Sequence, residues 1–166
     1  FKLSLILQYK IFNKALVNLT KGYIDKYLYL SYESKDFLQK IYGLKENVLE
    51  FYPLGGNIVP ESEKYYLNGL IREKHGLAQD DIVIVHTGKL VPEKRTSDLI
   101  IAFKKNTSPK LKMLIIGYIP DNQRKVLEPL IKSDIRIQFV GWKESDELVK
   151  YLCAADLYFQ PGTQSA

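Results

Sequence analysis

The densest group of side chains able to do chemistry in this chain lies between His86 and Arg95. A β-branched run, Ile82-Val83-Ile84-Val85, leads to His86-Thr87 and breaks at Gly88. The loop behind it carries Lys89, Lys94 and Arg95. An amphipathic helix is predicted to open near Ser97. Strand, basic loop and helix start form an anion site in an α/β sheet, because the loop cations and the unpaired N–H groups of the first helical turn face one point. A phosphate or diphosphate is the anion that fits. Lysine brings a point charge to it and arginine a planar fork.

In an open parallel sheet, ligands lie beyond the carboxyl ends of the strands, so the remaining strand ends matter equally. Gly117 closes the second strand, Gly141-Trp142-Lys143-Glu144 follows the third, and Pro161-Gly162-Thr163-Gln164 follows the fourth. Glycines at the first three ends let backbone approach backbone or ligand. Trp142 can stack on a base or pack at the rim. Gly162, Thr163 and Gln164 offer N–H, hydroxyl and amide groups that suit polyol or phosphate oxygens. Taken singly, Gly88-Lys89 is a surface turn; falling on one edge, the four loops make a site. Neither Gly-x-x-x-x-Gly-Lys nor Gly-x-Gly-x-x-Gly occurs, so neither standard nucleotide fingerprint is present. His86 reads as a packed strand histidine. Asp156 reads as ending a helix and capping or solvating the turn. His75 reads as a cation at the negative end of a helix dipole. No residue is assigned a catalytic role.

The elements that must position these loops alternate regularly. Strands are predicted at Ile82–Thr87, Leu111–Ile116, Ile135–Val140 and Asp156–Gln160. Helices are predicted at about Ser97–Lys105 and Asp121–Lys132, the latter bent or shortened by Pro129, and from Ser145 onward. Strands this continuously apolar need cover on both faces, and right-handed crossovers then give a doubly wound parallel sheet. Before it, Leu5, Tyr9, Phe12, Leu16, Leu19 and Tyr23 step at helical spacing and read as one apolar helix face. Lys10, Lys14 and Lys21 lie elsewhere on that surface, as a solvated face or one open to an anionic membrane. A short strand at Tyr27–Leu30, a helix from Ser34 to Tyr42 stopped by Gly43, and a strand at Val48–Tyr52 follow. Pro53-Leu54-Gly55-Gly56-Asn57 is a break. Pro60 or Ser62 opens a helix that ends at Gly76. The fold class is therefore α/β, a Rossmann-like doubly wound sheet over 61–166, joined through a linker at 55–60 to the tail of a second α/β domain at 1–54.

The chain has 166 residues, a net charge of +5 and 46% hydrophobic residues, enough for one domain core and part of another. Its lysines are spread along the chain, so no nucleic-acid partner is expected. The lone Cys153 reads as a small core residue, which leaves no disulfide and no cysteine-based metal site. Two histidines make no metal cluster either, and a reducing cytoplasm fits best. Lysines interrupt the first apolar stretch, which argues against a membrane span there. A start at Phe1 and an uncovered last strand suggest a fragment of something longer.

The order of these segments resembles a known family. Thr87-Gly88-Lys89-Leu90-Val91-Pro92-Glu93-Lys94 is similar to the G-R-L-x-P-E-K-G segment of retaining glycosyltransferases of the GT-B fold (glycosyl transferases group 1, family 4-like). Leu114-Ile115-Ile116-Gly117, Val140-Gly141-Trp142 and Leu152-Cys153-Ala154-Ala155-Asp156, running on to Pro161, resemble its later segments. Leu30–Asp36 and Tyr52–Gly55 look like the end of its N-terminal domain. The resemblance implies a nucleotide-sugar donor bound mainly on the second domain and a glycan or lipid-linked acceptor on the first. Gly88, Lys89, Lys94 and Arg95 would hold the donor diphosphate without a metal or other cofactor. Gly117, Trp142 and Lys143 would face the base and ribose, and Gly162, Thr163 and Gln164 the donor sugar or its phosphates. It implies a hexosyltransferase of polysaccharide biosynthesis in the cytoplasm, with peripheral contact at the inner membrane face, and a fragment inactive alone. Three departures stand out: Lys89 replaces an arginine, Arg95 a glycine and Gly162 a serine. A nucleotide-sugar epimerase of the same fold and a non-catalytic anion-binding module are the competing readings.

Overall fold

The computed structural model describes residues 3–56 and 58–162, and the chain divides into two compact units, Phe1–Gly56 and Asn57–Ala166.

The first unit opens with a helical run: α1 (Leu3–Ile6), a π-helical stretch at Leu7–Asn13, then α2 (Lys14–Thr20) and a 3-10 turn at Lys21–Tyr23. The run expected as a helix is helical, and its apolar side chains are largely exposed. Phe12, Leu19 and Tyr23 are exposed, and Tyr9 meets Phe37 edge-on at 5.9 Å. The π stretch at Leu7–Asn13 interrupts the 3.6-residue repeat, and Leu3 and Ile6 before it are exposed as well. Strand β1 (Tyr27–Tyr29) pairs in parallel with β2 (Leu49–Phe51), and α3 (Tyr32–Tyr42) connects them. Helix α3 starts before the predicted Ser34. Ser31 caps it, accepting from the Ser34 N–H, while Ser34 Oγ accepts from the Ser31 N–H. Serine thus does the reciprocal work that Glu or Gln does in a capping box. Gly43, at φ 71°, ends the helix, with the Leu44 N–H returning to the Leu38 carbonyl.

The second unit runs α4 (Glu61–Lys74), β3 (Ile82–Lys89), α5 (Thr96–Lys104), β4 (Leu111–Tyr118), α6 (Asp121–Lys132), β5 (Ile137–Gly141), α7 (Ser145–Ala154) and β6 (Leu157–Tyr158). Its sheet is parallel, in the order β5-β4-β3-β6. Alternation along β3 sorts the core. Val83 and Val85 join Ile71, Leu114, Ile116 and Tyr151 on the face covered by α4 and α7. Ile84 joins Ile100, Phe103, Met113 and Leu127 on the face covered by α5 and α6. Burying each such side chain contributes about 1.5–3 kcal/mol. Helix α6 continues through Pro129 to Lys132 rather than stopping short. Strand β5 begins at Ile137, not Ile135, because Asp134 grips Arg136 through bonds of 3.0 and 2.7 Å and makes a turn of those residues. Among the described residues, no helix is long and apolar enough to cross a membrane.

Candidate functional site

The chain winds outward from β3 through β4 to β5, then crosses to the other side of β3 to form β6. The strand order reverses there, so the crevice beyond the carboxyl ends of β3 and β6 is where such a sheet accepts a ligand. Both loops bordering this crevice carry residues singled out by the sequence.

Glycine lets β3 and β4 reach this edge together. Gly88 and Gly117 are register partners, with φ of 132° and 143°. A Cβ on Gly117 would stand 1.9 Å from the Gly88 carbonyl oxygen. Gly117 is thus a residue of close strand approach, and the ladder continues past it: the Leu90 N–H donates to the Tyr118 carbonyl at 2.9 Å. Both strands therefore run two residues beyond their predicted ends.

Past Leu90 the chain makes a 3-10 turn at Pro92–Lys94, with Lys94 and Arg95 N–H groups returning to the Val91 and Pro92 carbonyls. Arg95 lies in the left-handed region at φ 52°, ψ 34°. That conformation suits the glycine of the motif this loop resembles. The Arg95 guanidinium binds Asp98 at 2.8 Å across the first turn of α5, so its charge is shared with a carboxylate. Lys89 is exposed and stands beside Tyr118 in the ladder. Lys94 is half-buried and near enough to His86 to disfavour a second proton on that ring.

The segment after β6 folds onto this loop. Gly162 lies so tightly against it that a Cβ would fall 2.1 Å from the Glu93 carbonyl oxygen and 2.6 Å from the Lys94 Cα. The departure from serine at this position thus has a steric reason in this chain. Thr163 and Gln164 lie outside the described residues. Between β3 and α7 opens a groove of about 600 Å³, lined by Thr87, Leu148, Leu152, Asp156 and Tyr158 among others. At its edge Thr87 Oγ1 and Tyr158 Oη lie 3.0 Å apart, and Tyr158 donates to Gln160 Oε1 at 3.0 Å.

Trp142 and Lys143 follow β5, at the far edge of the sheet, two strand spacings or ~10 Å from β3. Trp142 is 63% exposed, and its indole N–H points at Glu144 Oε1 across 3.4 Å. Lys143 leans toward Glu147 at 3.9 Å. The rim therefore holds a tight centre, Gly88–Arg95 with Gly162, and an outlying aromatic loop.

Three residues carry more of this arrangement than their sequence readings suggest. Asp156 does not cap or merely solvate a turn: its Oδ2 accepts from the Val83 N–H at 2.7 Å and from Arg72 Nη2 at 2.9 Å. Arg72 is buried and also donates to the carbonyls of Ala78 and Asp81. His75 binds Gln138 and Tyr151 through its two ring nitrogens, joining α4 to β5 and α7. His86 is packed within the strand, as read, but both of its nitrogens are engaged as well. Among the described residues, no three His, Cys, Asp or Glu side chains gather as a metal-binding group.

Comparison with known proteins agrees with this architecture. Residues 68–164 match the family described as Glycosyl transferases group 1. The alpha-monoglucosyldiacylglycerol synthase of Acholeplasma laidlawii is 27% identical over 139 residues, which are 78% of this chain and 34% of that protein. Among solved structures, Anabaena Alr3699/HepE in complex with UDP superposes with a TM-score of 0.70 at 21% identity, covering 92% of this chain and 43% of that one. WaaG, a glycosyltransferase involved in lipopolysaccharide biosynthesis, gives 0.62 at 16% identity, covering 98% and 48%. The chain thus spans about a third of the curated relative and under half of the solved structures, which at these identities establish a shared fold. With its family match extending over most of the second unit, the chain belongs to the glycosyl transferases group 1 family.

Proposed function

We propose that the protein containing this chain transfers a sugar from a nucleotide-sugar donor to a glycan or lipid-linked acceptor, with retention of anomeric configuration. The observation that carries this reading is the packing of Gly162 on Glu93–Lys94 at the point where the strand order reverses. It sets a neutral, amide-bearing segment against a cationic loop, and a nucleoside diphosphate leaving group needs that pair of surfaces. Lys89 and Lys94, with the N–H groups of the α5 first turn, are assigned to the diphosphate. Their charge stabilises the negative charge that grows as the sugar–oxygen bond to phosphate breaks. In this reading those cations do the work of a metal ion. Gly88 and Arg95 shape and flank the same loop. Gly117, Trp142 and Lys143 lie toward base and ribose, and Gly162, Thr163 and Gln164 toward the sugar and its phosphates.

The second unit is then the start of the donor domain and the first unit the end of the acceptor domain. The relatives support an acceptor of lipid or polysaccharide type: one is named a glucosyldiacylglycerol synthase and one a lipopolysaccharide glycosyltransferase. The same reading puts the protein in the cytoplasm at the inner face of a membrane, with Lys10, Lys14 and Lys21 toward anionic headgroups. Incubating the full-length protein with UDP-, GDP- and ADP-sugars and either diacylglycerol or a lipid-linked glycan tests it. Transfer should occur from one donor, and proton NMR of the product should show the donor's anomeric configuration. An inverted product, or the donor isomerised without transfer, would overturn the reading.

A further inference from the structure

His86 sits in a strand otherwise aliphatic from Ile82 to Val85, and its ring has no solvent exposure. An imidazole in such a place needs partners for both nitrogens. Nδ1 lies 2.8 Å from the Phe159 carbonyl oxygen, and Nε2 lies 2.9 Å from Thr96 Oγ1. A carbonyl only accepts, so Nδ1 carries the proton; Nε2 then accepts from the threonine hydroxyl. Burial, reinforced by the Lys94 ammonium, disfavours a second proton and keeps the ring in this form.

The two partners belong to the two segments that make the centre of the rim. Thr96 is the first residue of α5, directly behind the loop of Lys89, Lys94 and Arg95. Phe159 leads into Pro161–Gly162. Those segments meet a second time where Gly162 rests on Glu93 and Lys94. The contacts close into a ring: β3 to Phe159 through His86, along the chain to Gly162, across to Lys94, on to Thr96, and back to His86.

We propose that His86 is a positioning residue of the rim, fixing the spacing between the Lys89–Arg95 loop and the Pro161–Gly162 segment so that both meet one diphosphate. The proposal rests on the nucleotide-sugar reading of that rim. Phenylalanine in its place would fill the volume and hold neither segment. Asparagine would put an amide N–H near the Nδ1 position and hold the Phe159 carbonyl alone. Thr96→Val keeps the shape of residue 96 and drops its hydroxyl.

The test is calorimetric titration of UDP, GDP, ADP and inorganic phosphate into the full-length protein and its His86→Phe, His86→Asn and Thr96→Val variants, each checked for native circular dichroism. For the nucleotide that wild type binds best, His86→Phe should weaken affinity by about tenfold or more, the loss of two buried anchors. His86→Asn should return to within about threefold of wild type, because one anchor is restored. Thr96→Val, which also keeps the Phe159 anchor alone, should match His86→Asn. A merely structural histidine would lower the thermal midpoint of His86→Phe and leave its nucleotide affinity at the wild-type value, and that result overturns the proposal. Should His86→Phe fail to fold, the other two variants decide. A matching loss of about two- to threefold in both supports the brace, since each keeps the Phe159 anchor and drops the Thr96 one, and wild-type affinity in either removes it. If wild type itself prefers none of the nucleotides over phosphate, the donor-site reading fails and takes the brace with it. Equal nucleotide affinity in wild type and His86→Phe removes the brace alone.

Discussion

Replacing Gly117 with alanine should unlock the edge of the sheet at which the site is built. The backbone there has φ 143°, and the new Cβ would stand 1.9 Å from the Gly88 carbonyl oxygen, about 1 Å inside the 3.0 Å that real Cβ contacts respect. The obstacle is backbone on a paired strand, so no rotamer change relieves it. A side chain in that region of φ costs about 1–3 kcal/mol. Forcing paired strands apart in a packed sheet adds about 1–3 kcal/mol more. A total near 4 kcal/mol takes a large share of the roughly 5–15 kcal/mol that holds a domain folded. Gly76 supplies the control in the same unit. It also has positive φ, 63°, but nothing lies within 4 Å of a Cβ there, so Gly76→Ala should cost only the left-handed penalty of about 1–2 kcal/mol. Hydrogen exchange of peptides covering 82–89 and 111–118 reads this unit directly in the full-length protein. Gly117→Ala should speed their slowest amides by about a thousandfold, and Gly76→Ala by about tenfold. Equal rates in the two variants would refute the close-approach argument.

Three further outcomes follow from contacts around the rim. Burial first, and the Lys94 ammonium after it, hold the His86 imidazole below its ordinary 6.5 against the opposing bond to Phe159. The unfolded chain therefore binds a proton that the folded chain refuses. Stability from this term is complete above about pH 6.5 and is lost as pH falls toward the lowered value. The thermal midpoint should fall as pH drops below about 6.5, and His86→Phe should flatten that slope. Asp156→Ala leaves the Val83 N–H and the buried Arg72 short of an acceptor and should cost about 2–3 kcal/mol, Asp156→Asn about half as much, by hydrogen exchange in β3. Gly162→Ser should push the segment off Glu93 and weaken nucleotide binding. Tighter binding in that variant would contradict the packing described.

Periodicity exposed the second unit well, because its signal is local. Helix α6 occupies Asp121–Lys132 as the pattern implies, and the near-continuous apolar strands require the two-sided cover that α4, α5, α6 and α7 provide. Misjudged boundaries have local chemical causes: the paired glycines extend β3 and β4, and the Asp134–Arg136 grip shortens β5. What escaped the sequence is pairing across long separations. Asp156 with Val83, Phe159 with His86 and Gly162 with Glu93 each join residues about seventy positions apart, and no periodicity encodes such partners. The polarity of His86 inside an aliphatic strand was the available signal, since a buried imidazole must find hydrogen bonds somewhere. Helical spacing in the first unit announced a helix, but not the π segment at Leu7–Asn13 that interrupts its 3.6-residue repeat.

The central claim is that one rim, centred on the Lys89–Arg95 loop, receives a nucleoside diphosphate. Titrating UDP, GDP, ADP and inorganic phosphate into the full-length protein, beside a Lys89→Ala/Lys94→Ala double variant with native circular dichroism, tests it most directly. One nucleotide should outbind phosphate in wild type, and the double variant should lose about a hundredfold of that affinity, as expected for two charge-assisted contacts. Unchanged nucleotide affinity in the double variant would contradict the account.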